Sequence, residues 1–310
     1  MPRMLLDTFN SFSDDNAIKL SASLSYYTLF SLPPLLVIII ALGGIFLGEE
    51  AIRGELVGQI EGMVGESSAA FIQSTLGNIQ LNQNGGIAAA ISTGVLIFSA
   101  STVFAEIQSS INFIWGLRAK PNKSVIKFVV NRLISFSMIA SLGFILLVSL
   151  IIHGLLNIVS KRVFEIFELE LLNLYFLINN TVMFLIISIL FTIIFKTLPD
   201  ARIRLRDAFA GSLFTTALFM LGKYLIGYYL SSTNVGSAFG AAASVALLMT
   251  WVYYSAIILY FGAEFTKVYA DKFGHQIIPN DYCVQIVKKE IEIDPDGDPP
   301  KEKITPNTKS

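Results

Sequence analysis

The feature that most constrains the fold is an uncharged stretch of twenty-four residues from Phe239 to Gly262. At a rise of about 1.5 Å per residue, roughly twenty apolar residues in a helix cross the hydrocarbon core of a bilayer. The stretch therefore predicts a transmembrane helix. Gly236, Gly240 and Ser244 lie four residues apart near its beginning, a spacing that puts small residues on one face and lets a neighbouring helix approach closely.

Glu264 and Lys267 follow this stretch and close the predicted span. In one interpretation they anchor the helix at the boundary with water, where aromatic and charged residues are common. In the other, Glu264 faces an internal cavity of a helix bundle. The sequence leaves both interpretations open.

The composition of the whole chain is typical of a polytopic membrane protein. Hydrophobic residues make up 54% of the 310 residues and charged residues only 15%, and the mean hydropathy is +0.64. The pattern predicts an all-α bundle of six transmembrane helices with amphipathic interfacial helices. The predicted spans are about 33–47, 87–106, 133–156, 172–195, 208–230 and 239–262. They form a membrane domain of residues 1–274, and residues 275–310 are predicted to be a cytoplasmic, largely disordered tail.

The first predicted span is preceded by a helix over residues 14–30, capped by Asp14 or Asp15, which we expect in or near the membrane interface. Pro33 and Pro34 follow. Proline has no amide donor, and the residue before it is pushed out of the α region, so the pair predicts a helix break. The break is either interfacial or lines a cavity, because carbonyl groups freed at membrane depth need protein or water as partners.

The connection between the first two spans, residues 48–85, has apolar residues at helical spacing on both sides of Gly65. It predicts two short amphipathic helices, which either lie on the membrane surface or cap the mouth of a cavity. Arg53 is its one basic residue, against the acidic residues Glu49, Glu50, Glu55, Glu61 and Glu66.

The distribution of lysine and arginine indicates the orientation. The segments before span one, between spans two and three, between four and five, and after six hold roughly two, five, four and two basic residues, against about three in the alternate loops. Because basic loops stay in the cytoplasm, we expect both termini on the cytoplasmic side of the membrane. The loop between spans two and three holds the five basic residues Arg118, Lys120, Lys123, Lys127 and Arg132. The short turn 231–235 predicts that spans five and six are antiparallel neighbours.

Lys223 is the cation placed well inside a predicted span, about fifteen residues into the fifth. An unpaired ammonium at such depth costs at least a few kcal/mol. With Tyr224 and Tyr228 beside it on the helix, it predicts a polar pocket open to the outside, suited to an anionic head group or carboxylate. The alternative is that its side chain snorkels to the interface.

Glu106 and Glu264 lie near the inner ends of the second and sixth spans. They could form a second, proton-accepting site on the cytoplasmic side. The alternative for each glutamate is a position in the interface.

Several short motifs occur at the ends of the predicted spans. They are ASLSYYTLFSLPP at 22–34, SINFIWG at 110–116, LPD at 198–200, LGKY at 221–224, and FGA at 239–241 leading to FGAEF at 261–265. In this order they resemble the YihY/BrkB family of bacterial inner-membrane proteins, over about residues 5–272. The resemblance implies a plasma-membrane protein with six helices. The family has been labelled ribonuclease BN and virulence factor, and envelope or transport roles have been suggested for it.

The residues give little support to an enzyme. His153 and His275 fall on opposite sides of the membrane in this topology, so they cannot complete a metal-dependent nuclease centre. The single cysteine, Cys283, excludes an intrachain disulfide and a thiolate metal cluster. We find no nucleophile elbow, phosphate-binding glycine loop or dinucleotide fingerprint. We therefore expect no enzyme activity, no cofactor, no metal and no nucleic-acid partner.

The leading functional hypothesis is a transporter, or a protein that translocates a lipid or an anionic solute of the cell envelope. Its expected partners are membrane lipids, an anionic lipid or solute, and a second copy of the chain in a homo-oligomer. The alternative is a non-transporting membrane scaffold for envelope biogenesis, whose helices within residues 50–76 dock an envelope partner.

Overall fold

The computed structural model of the chain describes residues 2–78, 87–120, selected positions between 130 and 148, and residues 172–232, 242–273 and 276–286. Its helices are α1 (Pro2–Asp14), α2 (Ala17–Leu47), α3 (Glu49–Val64), α4 (Glu66–Asn78), α5 (Ile87–Ile114), α6 (Leu172–Thr197), α7 (Leu205–Ser232) and α8 (Ala243–Lys272). Short strands are β1 (Leu117–Ala119), β2 (Ala201–Arg202), β3 (Ile278–Pro279) and β4 (Cys283–Gln285).

Within these described residues, 5 helices are long and apolar enough to cross a membrane, namely α2, α5, α6, α7 and α8. This confirms the predicted all-α membrane bundle. The predicted third span, 133–156, lies largely outside the described residues, although positions between 130 and 148 are helical.

Helix α2 runs without interruption from Ala17 to Leu47 and contains both Pro33 and Pro34. The predicted break at these prolines is therefore wrong, and residues 17–30 belong to the first span instead of a separate interfacial helix. The physical reason is the solvent. In hydrocarbon a broken helix exposes many backbone groups that have no partner, whereas a proline frees only a few that neighbouring helices can satisfy.

The chain before α2 also differs from expectation. Asn16 separates α1 from α2 with a left-handed φ of 50°, and no side chain caps α2. The prediction that Asp14 or Asp15 caps this helix is therefore wrong. Asn16 takes the position before the first turn of α2 instead, because asparagine tolerates left-handed backbone angles better than most residues. Helix α1 packs against α8, where Phe12 meets the ring of Phe261 edge to face at 5.5 Å.

Helix α8 is the centre of the bundle and contacts α1, α2, α4, α5 and α7. Helix α2 also packs against α5, and α6 packs against α7. Tyr260, Ala263 and Glu264 of α8 are fully buried. The helix ends at Lys272, beyond the predicted end at Gly262, so its second half also packs in the core.

Glycines allow α7 and α8 to approach closely. Gly211 lies against Thr266, and Gly262 lies against Thr215, so a β-carbon at either glycine would overlap the threonine. From Gly211 to Thr215 the residue numbers rise along α7, while those of their partners on α8 fall from Thr266 to Gly262. The two helices are therefore antiparallel neighbours, as the short connection between them predicts.

Of the predicted small-residue face, Ser244 is among the described residues. Ser244 contacts α4, because its backbone carbonyl accepts a hydrogen bond from Ser68 Oγ at 3.2 Å. Gly236 and Gly240 lie outside the described residues, and their predicted packing role remains a prediction.

The C-terminal residues 276–286 belong to the fold. Strand β4 pairs with β1, which follows α5, and β3 pairs with β2, which follows α6. The domain boundary predicted at residue 274 is therefore wrong, and Cys283 is buried. These strands are too short for a hydropathy pattern and are stabilised by partners far away in the sequence. Residues 287–310 lie outside the described part.

We predict that Gly262→Ala lowers the free energy of unfolding by about 1–3 kcal/mol, because the added methyl group overlaps Thr215. Thermal unfolding of the purified protein in detergent measures this change. Gly94 of α5 is the matched control, because open space surrounds it, and Gly94→Ala should stabilise by about 0.5–1 kcal/mol. Equal effects at the two glycines would contradict close packing of α7 on α8.

Candidate functional site

A cavity of about 320 Å³ lies between α2, α6, α7 and α8, within the range of about 300–1,000 Å³ typical of small-ligand pockets. Gln59 and Ser255 are the polar residues among those described at its wall. The buried Ser255 Oγ has no hydrogen-bond partner among the described residues. The apolar lining consists of Leu24, Ile145, Met183, Ile186, Ile187, Leu190, Phe191, Phe219, Val252, Ala256 and Leu259.

Two elements give the cavity its shape. Met183, Ile186, Ile187 and Leu190 recur at helical spacing, so one face of α6 forms a continuous apolar wall. Helix α3 contributes Gln59, whose amide nitrogen donates to the Glu55 carboxylate at 3.2 Å. One of the helices of the connection 48–85 therefore reaches a cavity, as one of the two interpretations of that connection predicts.

Lys223 lies beside this cavity. Its Nζ is 3.8 Å from the sulfur of Met183, which lines the wall. Because α7 begins at Leu205, Lys223 lies about 27 Å along the helix at 1.5 Å per residue, near the far end of the span. The neighbouring cavity is largely apolar, whereas the sequence predicts a polar pocket there.

Tyr224 and Tyr228 follow Lys223 on α7. Tyr224 is 55% exposed, and its hydroxyl donates to Asn180 Oδ1 of α6 at 3.2 Å. This bond joins the far ends of α6 and α7 beside Lys223. The side chain of Tyr228 lies outside the described residues, so its place in the pocket stays a prediction.

Glu106 and Glu264 have different surroundings. Ser23 Oγ donates to Glu106 Oε1 at 2.6 Å, which joins α2 to α5. Glu264 is fully buried, and its carboxylate lies 3.8 Å from Lys267 Nζ. Both interpretations of Glu264, an anchor at the interface and a residue that faces a cavity, stay predictions. Its role in proton transfer with Glu106 stays a prediction.

Lys267 connects Glu264 to the rest of the bundle. Its ammonium lies 3.7 Å from the Asp15 carboxylate between α1 and α2 and donates to the Ile114 carbonyl at 2.5 Å. One cation thus ties together the start of α2, the end of α5 and α8. Trp115 strengthens this junction by donating its indole N–H to the Ala263 carbonyl at 3.1 Å.

Arg132, which the sequence analysis counts in the basic loop, packs against the middle of α5. Its guanidinium lies 4.1 Å from the centre of the Phe98 ring and hydrogen-bonds to Ser101 Oγ. Ser101 is about 20 Å along α5 from Ile114 at 1.5 Å per residue. Position 132 is helical, so Arg132 belongs to the helical segment between 130 and 148, whereas the sequence analysis places it in the loop before that segment. The loop still holds its other basic residues, so the orientation argument is unchanged.

A buried carboxylate at the loop end of the bundle was also missed. Asp200 is fully buried and accepts hydrogen bonds from Gln108 Nε2 at 3.0 Å, Asn112 Nδ2 at 2.7 Å and Tyr282 at 3.3 Å. The backbone N–H of Asp200 donates to Asn112 Oδ1 at 2.8 Å. Its backbone carbonyl accepts a hydrogen bond from the backbone N–H of Asn280 at 3.0 Å. This Asp200 cluster joins α5, the loop after α6 and the C-terminal strands.

Burial raises the pKa of the Tyr282 phenol to about 12, and the negative charge of the Asp200 carboxylate contributes to this increase. The phenol therefore keeps its proton at neutral pH and acts as a donor to Asp200. A signal for the Asp200 cluster existed in the sequence. SINFIWG and LPD stand at the same predicted side of the membrane, so Asn112 and Asp200 could have been paired.

We predict that Asp200→Ala lowers the free energy of unfolding by at least about 3 kcal/mol, because it orphans several buried donors that cost about 1–3 kcal/mol each. Denaturant or thermal unfolding in detergent measures this change. The exposed neighbour Asp281 is the control, and Asp281→Ala should change stability by less than about 0.5 kcal/mol. Similar losses in both variants would show that the hydrogen bonds of Asp200 do not matter.

The raised pKa of Tyr282 predicts a pH dependence. The folded state favours the protonated phenol, so its stabilisation is fully present below the ordinary pKa of 10.0 and is lost as the pH rises towards about 12. Tyr282→Phe should be less stable by about 0.5–1.5 kcal/mol at pH 8, and the deficit should shrink above pH 10. Unfolding midpoints of both proteins between pH 8 and 11 measure it. A deficit that does not change with pH would contradict the assignment.

Long apolar helices packed around a central one, with polar contacts buried between them, define a polytopic α-helical membrane protein. The model of the family described as virulence factor BrkB matches residues 8–279. The chain therefore belongs to this family, as the sequence motifs indicate.

Similar proteins are named mainly as membrane proteins. A UPF0761 membrane protein of Saccharophagus degradans is 24% identical over 87% of this chain and 60% of its own length. One from Alkalilimnicola ehrlichii is 28% identical over 84% of this chain and 56% of its own. The chain thus spans somewhat more than half of these relatives.

A third relative carries a different name. The ribonuclease-like protein YfkH of Bacillus subtilis is 24% identical over 84% of this chain and 92% of its own length. Among the residues described in this chain, we find no group of three or more His, Cys, Asp or Glu that could hold a metal ion. No solved structure gives a significant match.

Proposed function

We propose that this protein translocates a lipid-like anionic amphiphile of the cell envelope, and that the cavity between α2, α6, α7 and α8 is its binding site. The observation that carries the proposal is an apolar space of about 320 Å³ inside a membrane bundle, with an ammonium group directly behind its wall. A soluble anion would find few hydrogen-bond donors there. A hydrocarbon chain with a charged head group matches both parts.

The apolar walls favour the hydrocarbon part of such a molecule. Each buried methylene group contributes about 0.8 kcal/mol relative to water. The polar residues of the cavity, Gln59 and Ser255, come from α3 and α8 and leave most of the wall without hydrogen-bonding groups. The walls therefore select chain length and shape more than a specific polar pattern.

Lys223 supplies the charge. Its ammonium lies 3.8 Å from the sulfur of Met183, whose side chain lines the cavity. Methionine is unbranched and flexible, so a change of its rotamer opens the cavity to the ammonium without moving a helix. An anionic head group would then neutralise a cation that has only a thioether contact among the described residues.

The proposal includes the predicted topology. In a bacterial inner membrane with cytoplasmic termini, the Lys223 end of the cavity faces the outer leaflet. Helix α3 contacts α7 and contributes Gln59 to the cavity wall. Movement of α3 would control access to the cavity from that side.

We predict that Lys223→Met slows translocation of an anionic fluorescent phospholipid by at least about tenfold, the effect of losing roughly 1.4 kcal/mol of binding. Translocation is measured in proteoliposomes by the rate at which a membrane-impermeant reductant reaches the labelled lipid. Lys19→Met is the matched control, since Lys19 is exposed on α2 and does not line the cavity. Its rate should equal that of the unchanged protein.

A second variant tests the space itself. Ala256→Phe should fill much of the cavity, because Ala256 is buried at its wall, and should slow zwitterionic and anionic lipids alike. Leu221→Phe on the exposed surface of α7 is its control. Rates of the unchanged protein that do not exceed those of protein-free vesicles would overturn the proposal.

The same experiments separate transport from a scaffold. In the structure α4 packs against α8 through Ser68, so deleting residues 50–76 would damage the bundle. Reversing the exposed charges Glu61 and Glu66 is a milder change. A scaffold should then lose a co-purifying envelope partner and show no lipid translocation at all, whereas a transporter should keep its translocation rate.

A further inference from the structure

A groove of about 450 Å³ opens on the outer surface of the bundle between α6 and α7. It is far from Lys223, at the end of these helices that carries the basic loop. Ile189, Leu205 and Phe209 are 52%, 62% and 44% exposed, so the groove faces the surrounding lipid. Its described lining consists of Ile189, Thr192, Ile193, Leu205, Arg206 and Phe209.

The segment 200–207, which supplies Leu205 and Arg206 to the groove, carries exposed positive charge. Arg202, Arg204 and Arg206 are all exposed, and the structure shows no ion pair between any of them and another described residue. Asp200 and Asp207 are the acids of this segment, and both are buried. The carboxylates therefore do not offer the arginines a partner at the surface.

We propose that this α6–α7 groove is a binding site for one anionic phospholipid. An acyl chain lies against Ile189, Ile193 and Phe209, and the phosphate binds the guanidinium of Arg206, with Arg204 nearby. Basic pockets between transmembrane helices bind anionic head groups, and a guanidinium can donate two parallel hydrogen bonds to a phosphate. The site is on the surface and does not depend on transport through the internal cavity.

The polar group inside the groove is already occupied. Thr192 Oγ1 donates to the Ser188 carbonyl at 2.7 Å and lies 2.7 Å from Ser212 Oγ of α7. Head-group recognition therefore depends on the arginines at the groove's end. This arrangement selects the charge of a lipid and leaves the rest of its head group free.

A basic segment that serves only to orient the protein in the membrane would bind lipids differently. Orientation needs positive charge on one side of the membrane but no defined groove. It would attract anionic lipids diffusely, with no saturation and no effect of filling the space beside Phe209. The groove requires one saturable lipid that is sensitive both to Arg206 and to the neighbouring apolar surface.

Native mass spectrometry of the full chain in detergent tests the proposal, with phosphatidylglycerol and phosphatidylcholine of equal chain length as probes. We expect one phosphatidylglycerol to bind with saturation and to outcompete phosphatidylcholine. Arg206→Gln should weaken phosphatidylglycerol about fivefold, the equivalent of roughly 1 kcal/mol for one basic residue near the surface. Arg53→Gln, which removes an exposed arginine of α3, should leave the affinity unchanged.

A second pair of variants tests the acyl-chain contact. Ile189→Trp fills the groove without changing charge and should also reduce phosphatidylglycerol binding, whereas Leu177→Trp on the exposed surface of the same helix should not. If Arg206→Gln cannot be purified in folded form, the tryptophan pair decides the question alone. Equal binding of the two lipids, or undiminished binding to the Ile189→Trp protein, would overturn the proposal.

Discussion

The rest of the structure depends on the absence of water around the helices, which favours bonds between the polar groups of the bundle and partners in the protein. This constraint explains why α2 continues through Pro33 and Pro34. It also explains why side chains bond to the backbone of neighbouring helices, as Ser25 does to the Met249 carbonyl at 2.8 Å. Helix α8 gathers many of these contacts because it touches most of the other helices. Glycines then allow the close approach of α7 to α8, where Gly211 meets Thr266, Gly262 meets Thr215 and Gly222 meets Tyr254.

A different kind of interaction holds the loop end together. Here the Asp200 cluster uses a fully buried carboxylate and neutral donors from α5 and the C-terminal segment. A carboxylate that accepts several hydrogen bonds can stay buried. If the carboxylate were removed, each of its buried donors would lose its hydrogen-bond partner. The pairing of β1 with β4 and of β2 with β3 joins the segments next to these residues. Strand pairing and the Asp200 cluster therefore both hold the end of α5, the loop after α6 and the C-terminal segment together.

The sequence predicts the membrane class, most helix positions and the antiparallel pairing of α7 with α8, because hydropathy and loop length are local properties. It does not predict what depends on distant partners. Its position in the chain places Arg132 in a loop, but its contacts are Phe98 and Ser101 in the middle of α5. Asp200 has its donors on two other segments. The cavity is formed by several helices, so Lys223 could be identified as unusual while its apolar surroundings could not.

The lining of the cavity argues for a hydrocarbon occupant. Gln59 and Ser255 are the polar residues among those described at its wall, and the rest of that lining is apolar. Such a wall offers water few hydrogen-bond partners. A hydrocarbon chain drawn from the bilayer would pack against it, and the ammonium of Lys223, 3.8 Å from the sulfur of Met183, would favour a chain that carries a negative charge.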